Sequence, residues 1–401
     1  MARCLSCDTA DVVVLLDFGP QPPSNRFERP QDAPADRHPL VVAQCQACGL
    51  VQLVDPMPPA MVKSRFDWLT YNEPEGHLDD LVGRLRALPG IGGDSRIVGL
   101  TYKDDSTLAR FNRLGHASTY RYDPATDLGI SDRCAGLESL QAAFDAGSDA
   151  RLADRHGRAD LVLARHILEH AHSPKVFVQA LKKLAKPGGY VVFEVPDATK
   201  FIRACDYSFI WEEHVTYLSR QTLGSLLERA GIAVADAYLY PYPLEDSLVA
   251  VARNVTPAAP TVPRAQPAFL DDGRRFAARH AATRTKLKSL LAGWRLGGRR
   301  VAVFGAGHLA AKFINLLDLA DQVVCVIDDN PHKQALLMPG SRLPIRGSDL
   351  MTSGAVDVCL LSLNPESEQK VRAKYASYLE RGGSFRSIFA QSPHAVQLAA
   401  A

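Results

Sequence analysis

The sequence predicts an α/β protein: a small metal-stapled N-terminal module followed by two Rossmann-like units. Three observations predict it. Two C-x-x-C pairs, Cys4/Cys7 and Cys45/Cys48, bracket a Pro-rich segment. Two apolar runs, Leu161 to Ala164 and Tyr190 to Val195, end in ionisable residues and are separated by a helix-like stretch and Lys186-Pro187-Gly188-Gly189. A later apolar strand runs into Gly305-Ala306-Gly307-His308-Leu309-Ala310. Strands whose carboxyl ends carry charged side chains form the working edge of an open parallel sheet.

The first module spans residues 1–65. Each C-x-x-C turn directs two sulfurs at one centre, and two such turns complete a tetrahedral Zn²⁺ site with Zn–S bonds of about 2.3 Å. The segment between them holds Pro20, Pro22, Pro23, Pro30, Pro34 and Pro39, so it has little core of its own. A metal staple is the physical remedy for such a module. Two disulfides or four free thiols are the alternatives; a cytosolic chain disfavours the first and the paired spacing the second. Four thiolates close the site, which gives the metal a structural role.

The second part, residues 66–254, opens with the polar and aromatic stretch WLTYNEPEGH, which reads as a lid, a substrate loop or a solvated connector. A helix follows from His77 to Leu88, then a strand from Arg96 to Leu100. The turn after it, Thr101-Tyr102-Lys103-Asp104-Asp105, has no glycine beyond Gly99. A strand from Ser118 to Tyr122 ends at Asp123, placed either to grip ribose hydroxyls or to cap a turn before Pro124. Arg165, His166, Glu169 and His170 then follow one apolar strand, and Glu194 and Asp197 end the next. Glu212-Glu213-His214 comes shortly after. A helix from Leu223 to Arg229 and strands from Val234 to Tyr240 and Ser247 to Ala252 complete the part.

The third part, residues 255–401, begins with linker-like NVTPAAPTVPRAQP at 254–267 and a helix from Ala268 to Trp294. Its G-x-G-x-x-A turn and the strand from Val323 to Ile327, ending in Asp328-Asp329-Asn330, read as a dinucleotide fingerprint or as a tight turn used for packing. Packing is the expectation, since nothing else points to a nicotinamide enzyme. Cys325 and Cys359 lie in apolar runs and are expected in the core.

Composition excludes several classes. The 401 residues suffice for two or three domains with real cores. The chain carries 46 Lys and Arg against 44 Asp and Glu, a net charge of +2, which argues against nucleic-acid and membrane-surface partners. No apolar run reaches the roughly 18 residues of a membrane span, and MARCLSC lacks the apolar core of a signal peptide. A cytoplasmic location is expected.

Taken together, the knuckles with DFGPQPPSNRF between them and CGLVQL after them, ARHILEH, the PGG–FEVPD–EEHVTYLS run and FGAGHLAAKF…IDDNPHKQ…MPGSRLPI resemble the sugar C-methyltransferase family. The resemblance implies a zinc-binding domain, an S-adenosylmethionine methyltransferase domain and a C-terminal Rossmann-like domain. It implies methylation of a carbon α to the ketone of a nucleotide-activated keto-deoxysugar. Matched motif to motif, His214 is the base, with Glu213 and His170 beside it, and Trp211 stands where the family has a tyrosine. On the cofactor side the family pattern falls on Gly99, Thr101 and Asp104, both later turn glycines being replaced. Asp123 is the adenosine-gripping acid, and Arg165 is placed on the same side, with a surface position as the alternative. Two other readings use the same scaffold: an epimerase or isomerase of a nucleotide keto-sugar, or a non-catalytic nucleotide-sugar-binding protein.

Overall fold

The computed structural model describes residues 2–69, 73–145, 147–257 and 265–397. The chain folds into two compact units. The first comprises the residues up to Val14, Val42–Thr199 and Glu213–Leu270; the second comprises Leu15–Val41, Lys200–Glu212 and the chain from Asp271 on.

The N-terminal strands are β1 (Val12–Gln21), β2 (His38–Cys45) and β3 (Val51–Leu53). The central sheet of the first unit is built from β4 (Ile97–Gly99), β5 (Thr119–Arg121), β6 (Ala159–Arg165) and β7 (Ala185–Asp197). A short β8 (Thr216–Tyr217) precedes β9 (Ala233–Tyr240) and β10 (Asp246–Arg253). The central order is β5-β4-β6-β7-β10-β9. The first four strands run parallel and β10 is antiparallel to both its neighbours. Helices α1 (Leu78–Arg86), α2 (Asp105–Arg113), α3 (Leu137–Asp145), α4 (Ser148–His156), α5 (Pro174–Leu184) and α6 (Arg220–Arg229) belong to this unit.

The strands read as unbroken apolar runs because both faces of the sheet are covered. Val162, Ala164, Val191 and Phe193 pack on one side with Phe177, Leu181 and Leu226. The alternate residues Leu161, Leu163, Tyr190 and Val192 pack on the other with Leu81, Leu85 and Phe111. The period-two alternation of a strand is thereby satisfied twice. Lys186-Pro187-Gly188-Gly189, which precedes the second apolar run, lies inside β7. The register against β6 shifts between Ala159 and Leu161. Gly189 is needed there, since a Cβ would sit 2.9 Å from the Asp160 carbonyl.

The second unit carries the long helix α7 (Pro267–Leu296) and the parallel sheet of β11 (Val301–Phe304), β12 (Cys325–Ile327), β13 (Ile345–Arg346), β14 (Val358–Leu361) and β15 (Ser384–Ser387), in the order β13-β12-β11-β14-β15. Helix α8 (His308–Leu316) follows the glycine turn. That turn is closed on itself. Asp328 accepts from the Ala306 N–H at 2.8 Å, and Lys333 Nζ donates to the Ala306 carbonyl at 2.6 Å. A Cβ on Gly305 would lie 2.9 Å from the Ser362 hydroxyl and from Leu363. These contacts favour the packing reading of the motif. Cys325 and Cys359 are buried in the core of this sheet, as expected. Of the linker, residues 258–264 lie outside the described residues, as do 70–72 of the WLTYNEPEGH stretch.

Candidate active site and zinc centre

The four cysteines converge. Cys4 Sγ lies 3.5 Å from Cys48 Sγ and Cys7 Sγ 3.6 Å from Cys45 Sγ, and all four sulfurs fall within 4.8 Å of one another. A tetrahedron with bonds of about 2.3 Å has sulfur edges of about 3.8 Å, so the donor set fits zinc. The Cys7 and Cys48 N–H groups point at the first sulfur of each pair, at 3.4 Å, orienting the thiolates from behind. The metal is structural.

This module also reaches the catalytic edge. Strand β3 pairs antiparallel with β8, Val51 opposite Tyr217 and Gln52 opposite Thr216. The Leu53 N–H donates to the Val215 carbonyl at 2.9 Å, and the Val215 N–H donates to the Glu169 carbonyl at 2.7 Å. The segment carrying Glu213 and His214 is therefore fixed from both sides. His170 and His214, both buried, meet ring to ring with centroids 5.0 Å apart and planes at 83°. Glu169 lies with them, its carboxylate oxygen within 4.8 Å of both histidines. It is 2% exposed, and its Oε1 lies 3.7 Å from His166 Nδ1, an ion pair too long to be a hydrogen bond. A buried carboxylate short of hydrogen-bond donors has room for a donor from a ligand.

The cofactor edge lies at the carboxyl ends of β4, β5 and β6. Replacement of the turn glycines does not strain it, because no residue from Leu100 to Asp105 has positive φ. Asp104 does the work of the missing glycines. Its carboxylate accepts from the Leu100 and Thr101 N–H groups at 2.8 and 2.9 Å and from the Arg165 N–H at 3.1 Å. Burial pushes this carboxyl up to about 7, the Thr101 and Leu100 amides and Arg165 opposing the rise. Gly99 must be glycine, since a Cβ there would lie 2.7 Å from that of Asp104. Thr101, 1% exposed, caps the next turn by accepting from the Lys103 N–H at 3.2 Å. Gly99, Thr101 and Asp104 thus frame the turn from inside.

Arg165 is 2% exposed, which corrects the surface alternative. Its Nε donates to Glu194 at 2.6 Å, and its terminal nitrogens bond Glu194 and the Lys103 carbonyl. Glu194, opposite it in the β6–β7 register, also faces His166 Nε2 and His77 Nε2, each at 3.1 Å, and the Ser247 hydroxyl at 2.9 Å. Burial alone would raise its carboxyl; His166, His77 and Arg165 instead hold it well below the usual range. His166 adopts φ +49°, uncommon for a residue with a side chain, which is the kind of strain that functional edges store. Against its burial, Glu73, Glu169 and Glu194 hold the ring up to about 10. Removing one member of such a buried pair leaves an uncompensated charge, so Arg165→Met is expected to destabilise the fold by about 3–5 kcal/mol, read by chemical denaturation. The His166 contribution is present below its ordinary value of 6.5 and is lost as pH rises through about 10. Stability of the wild type should therefore fall on the alkaline side, and His166→Gln should flatten that fall.

Asp123 caps the turn after β5: its Oδ1 accepts from the Thr126 N–H at 2.8 Å and from the Thr126 hydroxyl at 3.0 Å, the turn-capping arrangement that the sequence left open beside a grip on ribose. Asp123→Ala is expected to weaken S-adenosylmethionine binding by roughly tenfold to a hundredfold, measured by calorimetry; an unchanged Kd would remove Asp123 from the cofactor site.

Trp211 falls in the second unit, where its indole N–H donates to the Ser208 carbonyl at 2.9 Å and its ring lies tilted against His308, with centroids 5.0 Å apart. Glu138, His77 and Glu194 were not among the expected site residues, and only Glu194, ending an apolar run, carried a sequence signal.

The first unit thus joins a Rossmann-like sheet, with a carboxylate at the end of its second strand, to a four-cysteine module. Residues 4–62 match the family model of a zinc binding domain, 92–237 that of a methyltransferase domain, and 268–389 that of a C-methyltransferase C-terminal domain. The chain is a methyltransferase of the C-methyltransferase type. It is 25% identical over 397 residues to the C-methyltransferase NovU of Streptomyces niveus, covering 96% of this chain and 94% of that one. Among solved structures, a 1,6-didemethyltoxoflavin-N1-methyltransferase from Burkholderia thailandensis is similar over 45% of this chain and 79% of its own, at 17% identity and a TM-score of 0.31. The magnesium protoporphyrin IX methyltransferase of Synechocystis is similar over 44% and 77%, at 15% identity and a TM-score of 0.29. No helix among the described residues is long and apolar enough to cross a membrane.

Proposed function

We propose that this C-methyltransferase acts on a carbon α to the ketone of a nucleotide-activated keto-deoxysugar, with His214 as the base. The observation that carries the reading is the buried, perpendicular His170–His214 pair beside the buried Glu169 carboxylate. A ketone acidifies its α C–H. His214 takes that proton, and the electron pair left on carbon delocalises onto the ketone oxygen. Against the cost of burial, Glu138, Glu169 and Glu213 hold the His170 ring up to about 9. At neutral pH it is an imidazolium, suited to stabilise the enolate oxygen in a water-poor site. S-adenosylmethionine, when bound, would supply a methyl cation equivalent to that carbon and leave as the neutral thioether, and the proton on His214 returns to solvent. Glu169 is suited to accept a hydrogen bond from a substrate hydroxyl. Soluble location in the cytoplasm and a small-molecule partner in place of nucleic acid or membrane agree with the balanced charge.

The test is incubation with a nucleoside-diphosphate 4-keto-deoxysugar in D₂O, with and without S-adenosylmethionine. Deuterium entering the α carbon without cofactor, and one methyl group gained with it, are the expected results. Exchange with no methyl gain under any condition would favour the epimerase or isomerase reading, and neither would favour a binding protein.

A further inference from the structure

We propose that Glu138 is the positioning residue for His170, holding its imidazole so that Nε2 faces the substrate's ketone oxygen while His214 faces the α carbon. This deepens the keto-sugar reading and rests on it. Glu138 Oε1 lies 2.8 Å from His170 Nδ1, both side chains buried. With Nδ1 occupied by the carboxylate, Nε2 is the nitrogen left for a ligand, and the partner of one ring nitrogen fixes the role of the other.

Two local features place the carboxylate. Glu138 stands in the first turn of α3, where the helix dipole favours an anion. Gly136 precedes it, and a Cβ on Gly136 would lie 2.7 Å from Glu138 Oε2. The absent side chain is the space the carboxylate uses. The groups facing His170 are Glu138 from α3, Glu169 from its own turn, and Glu213 and His214 from the segment before β8. Three acids around one ring, with Glu138 the largest influence against burial, keep it protonated into the alkaline range. His214 meets the edge of a ring that already carries its proton, so the two histidines take different roles by environment and not by type.

The test is Glu138→Gln, with Gly136→Ala as a second variant that displaces the carboxylate without removing it. The His170 ring resonances, assigned with His170→Gln, are titrated by NMR in the absence of substrate. In both variants the His170 midpoint should move to lower pH, because the favourable negative charge has been removed in one and moved away from the ring in the other. Turnover should fall about tenfold to a hundredfold with KM little changed, and the alkaline limb of the kcat profile should move to lower pH with the midpoint. Glu138→Asp, which retains the charge, should restore much of both. An unchanged His170 midpoint in Glu138→Gln, or a shifted midpoint with wild-type turnover, would overturn the assignment. Because the titration needs no substrate, it separates this assignment from the keto-sugar reading: wild-type protein that never exchanges an α proton counts against the reaction, whatever the titration shows.

Discussion

His214→Ala should lose methyl transfer by a factor of about 10²–10⁴, the usual contribution of a positioned general base. S-adenosylmethionine should bind with its wild-type Kd. The two halves of this expectation come from different parts of the sheet. His214 lies on the segment held between β3 and the Glu169 carbonyl, whereas Asp123 and the Asp104-framed turn belong to β5 and β4. The substitution removes an imidazole and no backbone hydrogen bond, so the fold should persist by circular dichroism. The decisive measurement is deuterium exchange α to the ketone without cofactor, because it reports proton abstraction and not the later methyl step. If exchange in His214→Ala matches the wild type, another group is the base and His214 serves only to line the site.

Stripping the zinc, by chelation or by Cys48→Ser, should abolish turnover while the central sheet still binds cofactor. Four thiolates hold the ends of a Pro-rich module that has little core, and structural zinc in such modules supplies on the order of 10–16 kcal/mol of folding free energy. The module's strand β3 is hydrogen-bonded to β8. Release of β3 frees Val215 from one side, and with it His214. A displacement of about 1 Å at a catalytic group can cost about 10²-fold. The metal does no chemistry, yet its loss should read as a catalytic defect before it reads as a loss of cofactor affinity. Metal-free protein with full turnover would refute this coupling. Metal-free protein that has also lost cofactor binding would show that the damage reaches the central sheet.

The candidate site was only partly legible in the sequence, for reasons that differ residue by residue. The cysteines were legible because metal ligation is set by local spacing. Asp123 was legible as a strand-end acid, and the structure shows it capping the following turn through Thr126. His170 and His214 were joined only through the resemblance, since nothing local says that two segments so far apart will touch. Thr101, Asp104 and Arg165 were legible as residues at strand ends; position could not tell that Asp104 turns inward onto two amides, or that Arg165 would find Glu194, 29 positions away. The turn accepts the replaced glycines because no residue from Leu100 to Asp105 is left-handed.

By itself the sequence determined the α/β class, the zinc ligands, the apolar strands and the helices between them. Each of these follows from short-range periodicity or spacing, which a chain carries in its order of residues. The tertiary structure alone decided that Glu138 meets His170, that Glu194 gathers Arg165, His166 and His77, and that β3 of the zinc module pairs with the strand after His214. Those contacts join residues distant in sequence and depend on burial, which removes water as a competing partner and makes each charge seek another.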